Sequence, residues 1–243
     1  MKLGILSALW HRPELTVLFL DRLEHLKKKF DVIPLVVGTE GEFRADCGKR
    51  GILYVDHENR PLGSKWNKGM QAMKDLPVTN IMILGSDDFV SDDFIEHSLT
   101  FAEDKDFCGC MDLYMFSANR HRSGWAGFFY FAYQGWMVGP GRCYSRELMD
   151  KLKWSPWGVA RNSGLDGSIA KNIKNLGIKI KAGTYRIKDK GLFMVDIKTY
   201  GNISGIPGGA KLLDDSFEEA LSEHFPFEEA FNLKEYLKSV QAI

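Results

Sequence analysis

The chain is poor in the features that assign many proteins at once. Among 243 residues there are four cysteines, Cys47, Cys108, Cys110 and Cys143, and none stands at a zinc-type spacing from another. Cys108 and Cys110 alternate within a predicted strand, where cysteines on one face read as reduced core residues. Long apolar runs are absent: none reaches the ~18 residues of a membrane span. The apolar start is interrupted by His11-Arg12-Pro13, too soon for a signal peptide. The expectation is a reduced, soluble, cytoplasmic protein. There is no excess of either charge, with 32 Lys+Arg against 32 Asp+Glu, so the total points to no polyanionic partner. Internal repeats, low-complexity tracts and Gly/Ser linkers are also missing. What remains, 44% hydrophobic and 26% charged residues, suffices for one large domain with a real core.

The charge is unevenly placed. Residues 151–200 carry eleven Lys/Arg against three Asp, and residues 203–243 carry three Lys against eight Asp/Glu. The plain explanation is solvated surface; the sharper one is a basic wall facing an anionic donor or acceptor.

The most informative stretch is Asn80 to Val90, NIMILGSDDFV. Ile81 to Leu84 form an apolar run of the length of a strand buried on both faces. It stops at Gly85-Ser86 and delivers two carboxylates, Asp87 and Asp88. In open α/β sheets, ligands sit at the carboxyl ends of strands. Two acids there can hold a hard divalent cation, which in turn binds a diphosphate. The competing reading is a turn and a helix start, because Ser and Asp are also common N-caps.

Around this stretch the pattern alternates. Lys2–Leu9 reads as a buried strand, and Pro13 sits at the first turn of a helix that runs to about Phe30 and ends in three lysines, where the macrodipole favours cations. Strands follow at Val32–Val37 and Gly51–Val55, then a helix over Lys65–Lys74 capped by Ser64, the key strand, and a helix over Ser91–Glu103. This β-α-β-β-α-β-α order argues for a mainly parallel sheet covered by helices. Beyond it the spacing predicts a strand at Cys108–Phe116, a polar loop at Asn119–Gly127 with Arg120, His121 and Arg122, and an aromatic strand at Phe128–Val138. A short helix at Ser145–Leu152, a loop at Trp154–Gly164 and an amphipathic helix at Leu165–Leu176 follow. Strands at Ile178–Ala182 and Leu192–Ile197 precede an acidic tail of two short helices broken at Pro226, read as a packing element.

These pieces together resemble the nucleotide-sugar-dependent glycosyltransferases of GT-A type, in particular the inverting family 2, over roughly Met1 to Leu176. Arg12-Pro13-Glu14 matches a helix start after the first strand. Gly63-Ser64-Lys65-Trp66-Asn67-Lys68-Gly69 resembles the family's Gly-x-x-x-Asn-x-Gly donor segment. ILGSDDFV resembles the strand that ends in Asp-x-Asp-Asp. Gly141 to Leu148 resembles an acceptor-side turn and Ser-Arg-Glu helix, and Leu165-Asp166-Gly167 lies where the family often places its acidic base. One departure stands out: Gly85 occupies the position of the usual first Asp, leaving metal coordination to Asp87, supported by Asp88 or by a later residue such as His121 or Asp196.

The resemblance implies a single α/β domain of GT-A type, Rossmann-like, with a mainly parallel mixed sheet, helices on both faces and a C-terminal helical tail. Residues 1–105 would bind the donor, 106–202 the acceptor, and 203–243 form the tail. Asp87 would hold Mn²⁺ or Mg²⁺ against the diphosphate of a nucleoside-diphosphate sugar, with Ser86, Asp88, Lys65, Asn67 and Arg142 as further donor contacts. Ala8, Trp10, Arg12, Gly38, Thr39 and Glu40 would meet base and ribose. Asp166 would take the acceptor's proton, since a hydroxyl of pKa far above 7 needs a positioned base, although an acid there also reads as a first-turn helix residue. Trp125, Trp136, Trp154 and Trp157 can stack on sugars but in such runs usually serve the core. His11, His57 and His97 read as surface or capping residues. The acceptor would be a glycan or a hydroxylated base in DNA. Two other readings compete. A sugar-phosphate nucleotidyltransferase normally has a Gly-rich loop where this chain has Ser7 to Arg12. A catalytically silent nucleotide-sugar-binding module would keep the fold without turnover.

Overall fold

The computed structural model describes residues 1–39, 41–121, 124–132, 137–199, 206–213 and 217–241. The apolar run of residues 3–8 becomes β1 (Leu3–Ala8), buried almost throughout, and α1 (Pro13–Lys29) follows with Pro13 in its first turn. Next come β2 (Val32–Gly38), α2 (Arg44–Lys49), β3 (Leu53–Asp56), α3 (Leu62–Met73), β4 (Asn80–Ile83), β5 (Asp88–Val90) and α4 (Asp92–Phe101). The second half contains β6 (Phe107–Cys110), β7 (Asp112–His121), β8 (Gly124–Phe131), β9 (Arg142–Ser145), α5 (Arg146–Lys151), α6 (Leu165–Asn175), β10 (Ala182–Tyr185), α7 (Ile187–Lys190) and β11 (Met194–Lys198). β12 (Lys211–Leu212), α8 (Phe217–His224) and α9 (Phe227–Gln241) complete it.

The main sheet runs β10-β6-β9-β4-β1-β2-β3. β4, β1, β2 and β3 are mutually parallel, β9 is antiparallel to both its neighbours, and β10 is parallel to β6. A second sheet runs β12-β8-β7-β11-β5. Helices cover both faces of the main sheet. Leu15, Phe19 and Leu23 of α1 join Phe94 of α4 in the core cluster on one side, which also takes in the second sheet. Met70 and Met73 of α3, Leu148 of α5 and Ile169 of α6 fill the other. The expected α/β architecture is therefore present. All four cysteines are buried and free. No helix among the described residues is long and apolar enough to cross a membrane.

Several local expectations are corrected. The short α2 separates β2 from β3; with Cys47 its only buried residue, it carries no apolar stripe to reveal it. α3 begins at Leu62 after Pro61, and Ser64 is not its cap: its Oγ lies 3.0 Å from His57 Nε2. The strand expected at Cys108–Phe116 is two, split where Met111 N–H donates to Tyr185 O, so that β6 and β7 belong to different sheets. The polar loop expected at Asn119–Gly127 is largely the β7–β8 hairpin, with a register irregularity between Ser117 and His121. Backbone pairing forms such a hairpin whatever the polarity of its outward side chains. β10 starts at Ala182 rather than Ile178, which is 40% exposed. The short helix expected at Ser145–Leu152 is α5, and Ser145 is its N-cap: its Oγ accepts from Leu148 N–H at 3.1 Å.

The acidic tail folds back on the body. Arg22, 1% exposed in α1, donates to Val90 O in β5 (2.8 Å), to Asp92 (2.5 Å) and to Glu229 in α9 (3.1 Å), and stacks on Phe225. His224 stacks on Phe193 just before β11, centroids 4.7 Å apart. The tail thus grips the approaches to both β5 and β11.

Candidate functional site

β5 and β11 pair antiparallel with Asp88 opposite Asp196. With Asp87 at the turn before β5, this gathers three carboxylates whose ligand-capable oxygens lie within 4.8 Å of one another. Each has one oxygen held by a donor: Asp87 Oδ2 by Arg12 Nη1 (3.1 Å), Asp88 Oδ2 by Gly85 N–H (2.5 Å), and Asp196 Oδ2 by Lys198 Nζ (2.6 Å). The other oxygen of Asp196 is buried with no hydrogen-bond partner among the described residues. A buried carboxylate oxygen left in this state is costly, and the all-oxygen donor set suits a hard divalent ion such as Mg²⁺ or Mn²⁺. The residues fit that group.

The electrostatics agree. Burial, then the neighbouring Asp196 and Asp87, pushes the Asp88 carboxyl well above the usual range, against Lys198 and the Gly85 N–H. Burial and Asp87 push Asp196 up to about 7, although Lys198 and Arg12 pull the other way. Burial disfavours the Lys198 ammonium, but Asp196, Asp87 and Asp88 more than offset it and raise its pKa. The cluster carries more negative charge than its own cations neutralise comfortably.

The structure also accounts for Gly85. A Cβ at this position would stand 2.6 Å from Asp87 Oδ1 and 2.8 Å from Asp88 Oδ2, displacing both carboxylates. Any side chain there conflicts with the cluster, and the third acid comes instead from β11.

Asp87, Asp88 and Asp196 line a cavity of about 230 Å³ at the carboxyl end of β1 and β4, with Ala8, Trp10, Arg12, Lys65, Ser86 and Lys198 also in its walls. Arg12 joins the parts: its Nη2 donates to Ser86 Oγ at 3.0 Å while Nη1 holds Asp87. His11 and Arg12 both have φ of 55°, the left-handed region that costs a non-glycine residue roughly 1–2 kcal/mol. Such local strain is typical of functional loops. Lys65 is wholly buried, its ammonium donating to Leu9 O (2.5 Å), Asn59 Oδ1 (3.1 Å) and Thr39 Oγ1 (3.3 Å).

Other sequence-predicted residues lie elsewhere. Thr39 reaches the cavity only through Lys65. Asn67 is buried with both ends of its amide on the backbone of Trp157, at 2.8 and 3.1 Å, which ties α3 to the loop before α6. Arg142 is buried behind the wall, donating to Val138 O, Met137 O and Asp166 Oδ1. Asp166 stands in the first turn of α6, its side chain 61% exposed and paired with Arg142 at 2.8 Å. A Cβ on Gly139, next to the wall residue Pro140, would lie 3.6 Å from its Oδ2. Trp154 and Trp157 are core residues. His97 is not a surface group: it packs between Phe101 and Tyr185, and burial lowers its pKa. Glu40, Arg122 and Trp136 lie outside the described residues, as do the side chains of Arg120, His121 and Trp125.

Sequence reasoning gave no site role to Lys198 or to the wall residue Asn59, while the wall residues Leu62 and Trp66 belong to the segment that resembles the donor side. For Lys198 a signal existed: two residues beyond Asp196 on one strand, both side chains share a face.

No family model matches the chain, and no curated protein matches it. Among solved structures, TarS of S. aureus (residues 1–349) shares 12% identity over 81% of this chain and 60% of that one, with a TM-score of 0.59. The same TarS fragment in complex with UDP gives 13% identity, 78% and 62% coverage, and a TM-score of 0.52. HddC from Yersinia pseudotuberculosis gives 12% identity, 81% and 93% coverage, and a TM-score of 0.50. The chain spans about 60% of the length of the TarS fragment. At these identities the likeness establishes the fold, which is α/β of the GT-A type.

Proposed function

We propose that the protein is a metal-dependent glycosyltransferase that moves a sugar from a nucleoside diphosphate to an acceptor hydroxyl. The observation that carries this reading is the triad Asp87, Asp88 and Asp196 with its orphaned Asp196 oxygen, set in a cavity that also contains Arg12, Lys65 and Lys198. Acids to hold a cation, beside cations of the chain's own, suit a ligand that brings both a metal and a diphosphate. The complex of TarS with UDP supports the same ligand class for a protein of this fold. Asp87, Asp88 and Asp196 would hold Mg²⁺ or Mn²⁺, which would supply charge neutralisation for the departing diphosphate.

The chain's own residues supply the rest. Arg12 and Lys198 set the orientation of Asp87 and Asp196, and fixed cations in a cavity sheltered from water stabilise developing negative charge. Trp10, Ala8 and Trp66 form the apolar part of the wall for base or ribose. A cavity of 230 Å³ is below the ~300–1,000 Å³ of complete small-molecule sites, so on this reading it takes only part of the donor, and the sugar and acceptor lie beyond it. There Asp166, held by Arg142, takes the proton of the acceptor hydroxyl as that oxygen attacks the anomeric carbon and the bond to the diphosphate breaks. A base opposite the leaving group makes the transfer inverting. On this reading residues 1–105 bind the donor and 106–202 the acceptor, with Asp196 and Lys198 reaching across from the second part.

The acceptor is a glycan hydroxyl. A hydroxylated base in DNA is the second reading, favoured by the exposure of ten of the eleven basic residues in 151–200, all but Lys198. Release of UDP, GDP, CDP or TDP from the matching sugar nucleotides, with and without Mn²⁺, tests the reaction. Metal-dependent release lost in Asp87→Ala is expected. No release from any donor favours a silent binding module, and pyrophosphate release from a nucleoside triphosphate favours a nucleotidyltransferase. Duplex binding that weakens steeply with salt would favour the DNA acceptor.

A further inference from the structure

The cavity wall contains three carboxylates, Asp87, Asp88 and Asp196, and three cations, Arg12, Lys65 and Lys198. Two of the cations are fixed in place. Lys65 is held by Leu9 O, Asn59 Oδ1 and Thr39 Oγ1, and Arg12 spans Asp87 and Ser86 from a left-handed backbone. Lys198 is placed differently. Its Nζ lies 2.6 Å from Asp196 Oδ2, with both side chains almost wholly buried. The two residues share one face of β11. Between them Ile197 N–H donates to Asp87 O at 2.9 Å, which brings the strand against the Asp87 turn. Asp196 is also one of the three acids that suit a divalent ion. The ammonium and the ion therefore draw on one carboxylate, and like charges so close repel strongly where water is excluded.

We propose that Lys198 is a movable counter-cation of the triad, which competes with the divalent ion for Asp196 and, on yielding that carboxylate, turns to the diphosphate of the nucleotide. The inference rests on the proposed function and deepens it, because one side chain then couples the metal to the nucleotide. Charge balance supplies the reason. The three acids and three cations of the wall offset one another, so a divalent ion leaves the wall with two positive charges in excess. No fourth carboxylate stands in the wall to take them up, whereas a diphosphate brings the missing anion. The residue type suits the task, since lysine carries a compact charge on a flexible stem, while the planar fork of arginine favours a fixed carboxylate pair. It follows that Lys198 weakens binding of the ion alone and strengthens binding of the nucleotide. A lysine that served only the fold would, when lost, weaken both ligands alike.

Isothermal titration of the full chain with MnCl₂ alone, then with UDP, GDP and CDP in saturating Mn²⁺, tests this in wild type, Lys198→Met and Lys198→Arg. A pH of about 8 keeps protons from competing for Asp196, which is pushed up only to about 7. Lys198→Met is expected to bind Mn²⁺ about tenfold more tightly than wild type, because a repelling charge is gone. The same variant is expected to bind whichever nucleotide wild type binds about tenfold more weakly, because an attracting charge is gone. Lys198→Arg keeps the charge and should stay within about threefold of wild type for Mn²⁺, which separates charge from packing. Lys198→Gln, with the same pair of opposite shifts expected, replaces the Met variant if that one fails to fold. Where wild type binds both ligands, any pattern other than tighter metal and weaker nucleotide overturns this inference and leaves the proposed function standing. A wild type that binds no Mn²⁺, or none of the three nucleotides, overturns both.

Discussion

The two edges of the main sheet differ in a way that separates shape from chemistry. At the amino edge lies the larger hollow, a groove of about 820 Å³ lined by Asn80, Lys105, Asp106, Ser145, Lys179 and Lys181 among others. Its charges are at ease. Asp106 accepts from the Lys181 N–H at 2.7 Å, and Lys105 pairs with Asp104, which is 72% exposed. At the carboxyl edge the cavity is less than a third as large, yet it holds three acids whose ligand-capable oxygens lie within 4.8 Å of one another and a buried lysine with no carboxylate partner among the described residues, and it adjoins two successive left-handed residues. Volume records where a surface folds inward. Charge held in an unfavourable state records where a ligand is needed to complete the arrangement.

Substitutions can break this comparison, the largest effect coming at the triad. Asp87→Ala and Asp196→Asn are expected to abolish the rise in melting temperature that Mn²⁺ gives wild type, while far-UV circular dichroism stays native. If Asp196→Asn keeps the full Mn²⁺ response, β11 contributes no ligand and Gly85 has no substitute.

Next comes the clamp that joins the carboxyl edge to the tail. Arg22→Met leaves Asp92, Glu229 and the Val90 carbonyl without their shared donor, and a broken buried ion cluster costs roughly 3–5 kcal/mol, measurable by urea unfolding. A loss under 1 kcal/mol would mean the tail is merely laid against the body.

A smaller, pH-dependent loss is expected for Asp92→Asn. Burial alone would raise the Asp92 pKa, but Lys29, Arg22 and His25 outweigh it and hold the group down at about 2 against an ordinary 3.8. A depressed carboxyl contributes stability above its unfolded pKa and loses it as pH falls toward the folded one. The variant should therefore be about 2 kcal/mol less stable at pH 7, with the gap to wild type closing between pH 4 and pH 2. A gap independent of pH would point to packing rather than charge.

At the amino edge, Lys105→Ala and Lys181→Ala should change stability by less than about 0.5 kcal/mol and leave nucleotide binding untouched. An effect on binding as large as that of Asp87→Ala would overturn the contrast between the edges.

The same contrast explains what the sequence made legible. The apolar run into Gly85-Ser86-Asp87-Asp88 placed two acids at a strand end because burial and period are local properties of the chain. Asp196 was nameable only as a supporting acid, because nothing near it reveals that β11 pairs with β5. Asn67 and Arg142, read as donor contacts, are instead taken up by the Trp157 backbone and by the 137–138 carbonyls. A polar side chain in a motif looks the same in sequence whether it faces a ligand or ties two segments together. The β7–β8 hairpin was hidden for a related reason: its ladder is made by backbone groups, which every residue carries.

The most direct test is the melting temperature of wild type with each of UDP, GDP, CDP and TDP, with Mn²⁺ and without it. A ligand at a hundredfold excess over its Kd stabilises the native state by about 2.7 kcal/mol, or roughly 5–10 °C for a chain of this size. The account predicts such a rise for at least one nucleoside diphosphate, dependent on Mn²⁺ and absent in Asp87→Ala. A flat melting temperature across all eight conditions, or an equal rise in the variant, would contradict it.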